Sequence, residues 1–247
     1  MTRVLSIGAG GLGSPVLVLL ARSVDVDLTI VDDDVVDVSN LHRQILYREP
    51  DVGRPKLEAA ARRIDEEASR AGRRVSVTTV DGRVVPDNVR ALFVEHDLVV
   101  EGADNFATKF LSADAAHLSR VPIVHAGVVR WAGFALAVRP GGTACLRCLF
   151  EDLPRGAIET CATAGVVGPV VGAVGALAAS LAIRLVLGDA DAAGTLFHHD
   201  ARRGTLRRSR PNRRAGCTLC GASPSIESID ATRYGAHGDG AADCAAE

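Results

Sequence analysis

As far as Gly127 the chain alternates short β-branched runs with longer helical patterns, and that alternation restricts the fold more than any other feature. The runs "RVLSIG", "DLTIVD", "RVSVTTV", "DLVVEG" and "PIVHAG" read as strands. Between them, Leu12–Val24, Pro55–Ala71, Asp87–Glu95 and Phe106–Ser119 read as helices. The second has Leu57, Ala60, Ala61 and Ile64 on one face, with Arg and Glu on the other. Strands that alternate with helices of this length form βαβ units. The expected fold is therefore α/β, a Rossmann-like doubly wound and mostly parallel sheet. At 247 residues the chain can bury one large core or a core with a small satellite.

The pattern changes after about residue 130. "FALAVRP" reads as a strand entering a Gly-Gly turn, followed by "CLRC" and an irregular polar segment to Thr160. A small-residue helix spans Val166–Leu187, and two short strands flank Ala201–Gly204, so antiparallel strands extend the parallel sheet. Residues 222–247, rich in Gly, Ala, Ser and Asp, are expected to form a flexible tail in which Cys244 is incidental. The run Val166–Ile183 reaches the length of a bilayer span, but Gly168, Pro169, Gly172 and Gly175 suit a tightly packed core helix better. No basic segment leads into an apolar one at the N-terminus, which points to the cytoplasm, and a net charge of −2 gives no field for nucleic acid.

The first strand runs into "GAGGLG", a G-x-G-x-x-G of Gly8, Gly10 and Gly13. In strand–turn–helix context Gly8 permits the tight turn, Gly10 lets backbone approach a phosphate, and Gly13 lets helix and strand pack closely. The helix N-terminus adds a partial positive charge. Asp32 follows about twenty residues later, where an acid that binds a ribose hydroxyl belongs. These features alone fit a nicotinamide-dependent dehydrogenase equally well. Arg43 in "SNLHRQ" and Lys56 in "GRPK" oppose that reading, because a triphosphate needs extra cations at its reacting end and a dinucleotide does not. Asp104 in "EGADN" falls at the carboxyl edge of the sheet and could hold Mg²⁺ between phosphates.

In this order, "GAGGLGSP", "VDDDVVDVSNLHRQ", "VGRPK" and "GADN" resemble the ThiF/MoeB/HesA family, relatives of ubiquitin-activating enzymes, across roughly residues 3–221. The resemblance implies an adenylation domain over 1–221, with a nucleotide-binding part over about 1–130 and a carrier-binding and zinc part over about 131–221. It implies ATP·Mg²⁺-dependent adenylation of the C-terminal glycine of a small β-grasp sulfur-carrier protein ending in Gly-Gly, with release of pyrophosphate. Position by position, Gly11 packs against the nucleotide and Asp32 binds the ribose. Ser39, Asn40, Leu41, His42, Arg43 and Lys56 grip the phosphates, while Asp104 and Asn105 hold metal and triphosphate. It further implies a homodimer.

Cys145 and Cys148, with Cys217 and Cys220, form two C-x-x-C pairs. Four thiolates so spaced suit a tetrahedral structural Zn²⁺, which relatives often carry. Two unrelated thiol pairs or disulfides are the alternative. Cys161 stands apart, before the small-residue helix. In some relatives its counterpart is the thiol that attacks the acyl-adenylate, but a compact buried hydrophobe is an equal reading.

The chain departs from the family in three ways. It starts just before the first strand, so the helical arm whose arginine reaches the partner's ATP is expected to be missing. Lys109 stands where an arginine often follows "DN", and no rhodanese-like domain follows, so the sulfur donor is expected to be a separate protein. Adenylation of a ribosomal peptide or small acid, and an inactive scaffold subunit, complete the alternatives.

Overall fold

The computed structural model describes residues 1–153 and 165–235 of the chain. The strands are β1 (Thr2–Ile7), β2 (Val26–Asp32), β3 (Val75–Asp81), β4 (Leu98–Glu101), β5 (Ile123–Val129), β6 (Ala132–Val138), β7 (Leu196–Asp200) and β8 (Thr205–Ser209). The helices are α1 (Gly13–Ser23), α2 (Lys56–Ala71), α3 (Val89–Val94), α4 (Phe106–Ser119), α5 (Leu146–Leu149), α6 (Gly168–Val186) and α7 (Thr232–Gly235). One eight-stranded sheet runs β3-β2-β1-β4-β5-β6-β7-β8. Strands β3 to β5 in that order pair in parallel; β6, β7 and β8 continue it antiparallel.

Alternation along each strand fills two cores. Val4 packs with Leu17 of α1, Ala60 of α2 and Val174 of α6, whereas its neighbour Leu5 packs with Phe93 of α3 and Phe110 of α4 on the other face. Both residues are fully buried, as expected of a parallel strand covered on each side. Each such side chain contributes about 1.5–3 kcal/mol relative to exposure.

Helix α6 has a length and apolarity that a membrane span would share. Here Val170, Val174, Ala178 and Leu181 form a buried stripe within the core of the α1 side. Gly175 makes the close crossing possible, because a Cβ there would lie 2.2 Å from Cγ of Pro15. The β5–β6 hairpin is longer than the sequence suggests: β5 reaches Val129 and Arg130 turns the chain with a φ of 53°. The segment after Cys220 also differs from expectation. As far as residue 235 it lies on the domain, with Ile226 and Tyr234 buried and the Tyr234 hydroxyl donating to Asp114 Oδ2 at 2.7 Å. Two apolar anchors spaced without helical or strand periodicity gave the sequence no packing signal.

Sheet order reverses between β1, which leads to β2, and β4, which leads to β5. Loops leaving the carboxyl ends of β1 and β4 diverge there and open the crevice in which ligands of such sheets bind.

Candidate active site

The loop between β1 and α1 forms the floor of that crevice. Gly8 has a φ of +87°, and a Cβ on Gly13 would stand 2.1 Å from the Gly8 carbonyl oxygen, so glycine is required at both ends of the turn. Between them Ala9 is clamped from two sides. Its N–H donates to Asp32 Oδ2 at 2.7 Å and its carbonyl accepts from the Tyr47 hydroxyl at 2.9 Å. Asp32 Oδ1 accepts from the Asp34 N–H at 3.0 Å. Burial pushes the Asp32 carboxyl above the usual aspartate range, partly offset by Lys56 and these N–H groups. Each of its oxygens keeps a second lone pair for a sugar hydroxyl.

A cavity of about 760 Å³ opens above the turn. Of the residues singled out from the sequence, Gly8, Gly10, Gly11, Asp32, Asn40, Arg43, Lys56, Asp104 and Asn105 line it. Gly13, Ser39, Leu41 and His42 are not among its lining residues. The Ser39 N–H is spent on Asp37 and the Ser39 carbonyl meets the His42 ring at 2.8 Å, while Leu41 packs on the core of the α1 side. Of the residues singled out in the block after β2, Asn40 and Arg43 therefore face the cavity, while Leu41 turns to the core.

The cavity's charged groups are held by neighbours. Lys56 opens α2 and is buried, and its Nζ donates to Asp34 Oδ2 at 2.6 Å. Arg43 donates to the Asn40 side chain at 2.5 Å and to the Ser39 carbonyl at 3.2 Å. Asn105 caps α4, its Oδ1 accepting from the Thr108 N–H at 2.8 Å. Asp104, just before it, is exposed and makes no hydrogen bond among the described residues. An exposed carboxylate on the rim of the cavity could take part in binding Mg²⁺, which binds through one or two carboxylates plus phosphate oxygens.

Sequence reasoning missed Gln44, Tyr47, Glu101 and His125. Gln44 lines the cavity while buried, and its Oε1 has no partner among the described residues. Its place beside Arg43 was the one available signal. Glu101 and His125 lie inside strands and read as strand residues only.

Away from the cavity, the four cysteines Cys145, Cys148, Cys217 and Cys220 converge. All are buried, and their sulfurs lie within 4.8 Å of one another. Sγ of Cys145 is 3.8 Å from that of Cys148 and 3.6 Å from that of Cys217; Cys148 and Cys220 are 3.4 Å apart. A tetrahedron with Zn–S bonds of about 2.3 Å has sulfurs about 3.8 Å apart, so the cluster fits a structural zinc closely. Burial pushes the Cys145 thiol up. Burial also opposes ionisation of Cys217, but the N–H groups of Cys220 and Leu219 outweigh it and bring this thiol down to about 7. The cluster is tied to α4 through the buried Arg147, whose guanidinium donates to Asp114 at 2.7 and 2.9 Å and lies over the Phe110 ring. Cys161 lies outside the described residues.

A glycine turn, an aspartate and two cations gathered around one cavity at the switch point of a mostly parallel sheet give the architecture of a doubly wound, ligand-binding α/β domain. The profile of the ThiF family matches residues 1–219, and the chain belongs to that family. Among its relatives, the SAMP-activating enzyme E1 of Haloferax volcanii is 38% identical, covering 93% of this chain and 84% of that protein. The sulfur carrier protein adenylyltransferase of Thermus thermophilus is 38% identical over 90% of this chain and 83% of its own length. The adenylyltransferase and sulfurtransferase MOCS3 of Dictyostelium discoideum is 33% identical over 94% of this chain, which spans 55% of that longer protein. Among solved structures, that of E. coli MccB superposes with a TM-score of 0.75 at 21% identity, covering 90% of this chain and 65% of that one. At that identity the likeness is one of fold.

Proposed function

We propose that this protein uses ATP to adenylate the C-terminal glycine carboxylate of a small ubiquitin-like sulfur-carrier protein, releasing pyrophosphate. The observation that carries the reading is the meeting of Asp32, Arg43, Lys56 and Asp104 around one cavity, on a chain whose relatives are named as activating enzymes and adenylyltransferases of such carriers.

In the reaction a carboxylate oxygen attacks the α-phosphorus, a new P–O bond forms, and the bond to the bridging oxygen of pyrophosphate breaks. No protein nucleophile is required. Two anions must be brought together, and the charge that grows on the leaving group must be stabilised. Asp32 holds the ribose, and the backbone around Gly10 admits the α-phosphate. Arg43 and Lys56 meet the outer phosphates, with Lys56 exchanging Asp34 for phosphate oxygen. Asp104 and Asn105 would hold Mg²⁺, which would supply charge neutralisation to the triphosphate. A zinc held by the four cysteines ties the C-terminal strands and the segment after them to the domain. Dimerisation and a sulfur donor complete this reading.

The test is carrier-dependent exchange of labelled pyrophosphate into ATP. Exchange is expected with a β-grasp protein ending in Gly-Gly and not with one lacking that dipeptide. Replacing Lys56 by Ala is expected to slow it by about 100- to 1000-fold, the usual loss of one preorganised clamp. Exchange supported instead by a free peptide or small acid, and by no carrier, overturns the substrate.

A further inference from the structure

Beneath the cavity lies a charged network that the proposed chemistry does not use. Glu101 ends β4 and is fully buried. Its Oε1 accepts from the Ala103 N–H at 2.7 Å and from Lys109 Nζ at 3.0 Å; its Oε2 accepts from Lys109 at 2.8 Å and faces His125 Nδ1 at 3.0 Å. The remaining Lys109 hydrogen goes to the Ala126 carbonyl at 2.6 Å. Lys109 lines the cavity, yet all three of its donors are used, so it cannot grip a phosphate without unpairing a buried carboxylate.

One carboxylate therefore joins three elements: the loop after β4, the first turns of α4, and β5. Burial alone would raise the Glu101 pKa, but Lys109 and His125 outweigh it and keep the group ionised, while burial keeps His125 neutral. An ionised carboxylate only accepts, so the His125 proton sits on Nδ1. Asp104 gains its position from this arrangement. It has no hydrogen bond of its own among the described residues, and its neighbours are both fixed, Ala103 by Glu101 and Asn105 by its cap on α4. A buried ion pair contributes little net stability compared with apolar residues of the same volume, so its retention under a reactive loop calls for another role.

We propose that Glu101, Lys109 and His125 are positioning residues that fix the Asp104 loop for the metal–triphosphate, a role that rests on the adenylation reading of the same cavity. The experiment compares the parent, Asp104→Ala, Lys109→Arg and the double variant Glu101→Gln/Lys109→Met, which removes both charges and leaves neither unpaired. Thermal unfolding checks the fold, and Mn²⁺ affinity in the presence of a non-hydrolysable ATP analogue is read by electron paramagnetic resonance beside pyrophosphate exchange. In the double variant, Mn²⁺ affinity and the exchange kcat are expected to fall roughly 10- to 100-fold, the usual effect of losing a group that orients a metal ligand. KM for ATP is expected to change less than kcat, because Asp32 and the glycine turn are untouched; Lys109→Arg, which keeps a cation beside Glu101, is expected to lose less than the double variant. A folded double variant with parental Mn²⁺ affinity and parental exchange overturns the positioning role and leaves adenylation standing. Mn²⁺ bound through Asp104 in the parent and lost in the double variant, with no pyrophosphate exchange by the parent with any carrier, has the opposite meaning: adenylation falls and positioning of the metal loop stands.

Discussion

The cysteine cluster and the cavity above the glycine turn are both sets of polar groups brought together from distant segments, yet they are built by opposite rules. The cysteines are buried and converge on one point, a closed set of four sulfurs. The cavity groups come from separate loops after β1, β2 and β4, and Asp104 is exposed. Each of the others is held by a neighbour that a substrate can replace or share, as Asp34 holds Lys56. A structural site gains from closure, because every buried ligand adds to folding. A substrate site has to stay open, so its precision comes from groups behind it.

That contrast predicts where a substitution registers. The largest effect is expected at the closed site. Cys217→Ser should remove the bound zinc, measured by elemental analysis as one ion per chain in the parent, and lower the unfolding temperature sharply. Metal binding in small zinc domains is worth on the order of 10 kcal/mol, so a variant with parental stability would dismiss the structural role of the cluster. Next comes the open site. Asp104→Ala should raise the exchange barrier by about 3–4 kcal/mol while leaving the unfolding temperature within a few degrees, since an exposed side chain with no hydrogen bond among the described residues supports little packing. Equal losses in both measurements would erase the distinction between the two sites.

Acid should reveal the buried network beneath the cavity. The His125 pKa is lowered by burial, and that of Glu101 is held low by Lys109 and His125, so both bind protons less readily folded than unfolded. As pH falls below about 6.5, the ordinary histidine value, the unfolded chain takes up a proton that folded His125 refuses. Stability is therefore lost on acidification, beginning there and continuing below the usual carboxylate range as Glu101 contributes. Urea midpoints at pH 7.5 and 5.5 measure this, and His125→Gln should flatten the difference. The smallest effect is expected from Tyr234→Phe, which removes one buried hydrogen bond to Asp114 and costs about 1 kcal/mol by the same denaturation assay. No change would mean that the segment after Cys220 does not hold α4.

Much of this was legible in the chain because its signals are local. The glycine turn declares itself since only glycine tolerates Gly8's backbone and the 2.1 Å approach at Gly13. Helix α4 was readable to the residue, because Asn105 caps it and an apolar pattern follows. The four cysteines were recognisable from their spacing. Glu101 and His125 were not, because a charged residue inside a β-branched strand carries no mark of what stands across from it. Nor could periodicity show that Tyr234, at the far end of a polar segment, reaches Asp114 in α4.

The order of elements, the parallel sheet, the glycine turn, the cysteine pairs and the family were thus settled by sequence alone, since each depends on residues a few positions apart or on motifs in fixed order. Tertiary structure decided the rest. It turned Asn40, Arg43 and Gln44 of the block after β2 to the cavity, set Lys56 against Asp34, and placed a buried carboxylate under the loop that carries Asp104. These outcomes depend on which strands lie side by side and how far a side chain is removed from water. Both are properties of the packed sheet, and no stretch of the chain contains them by itself.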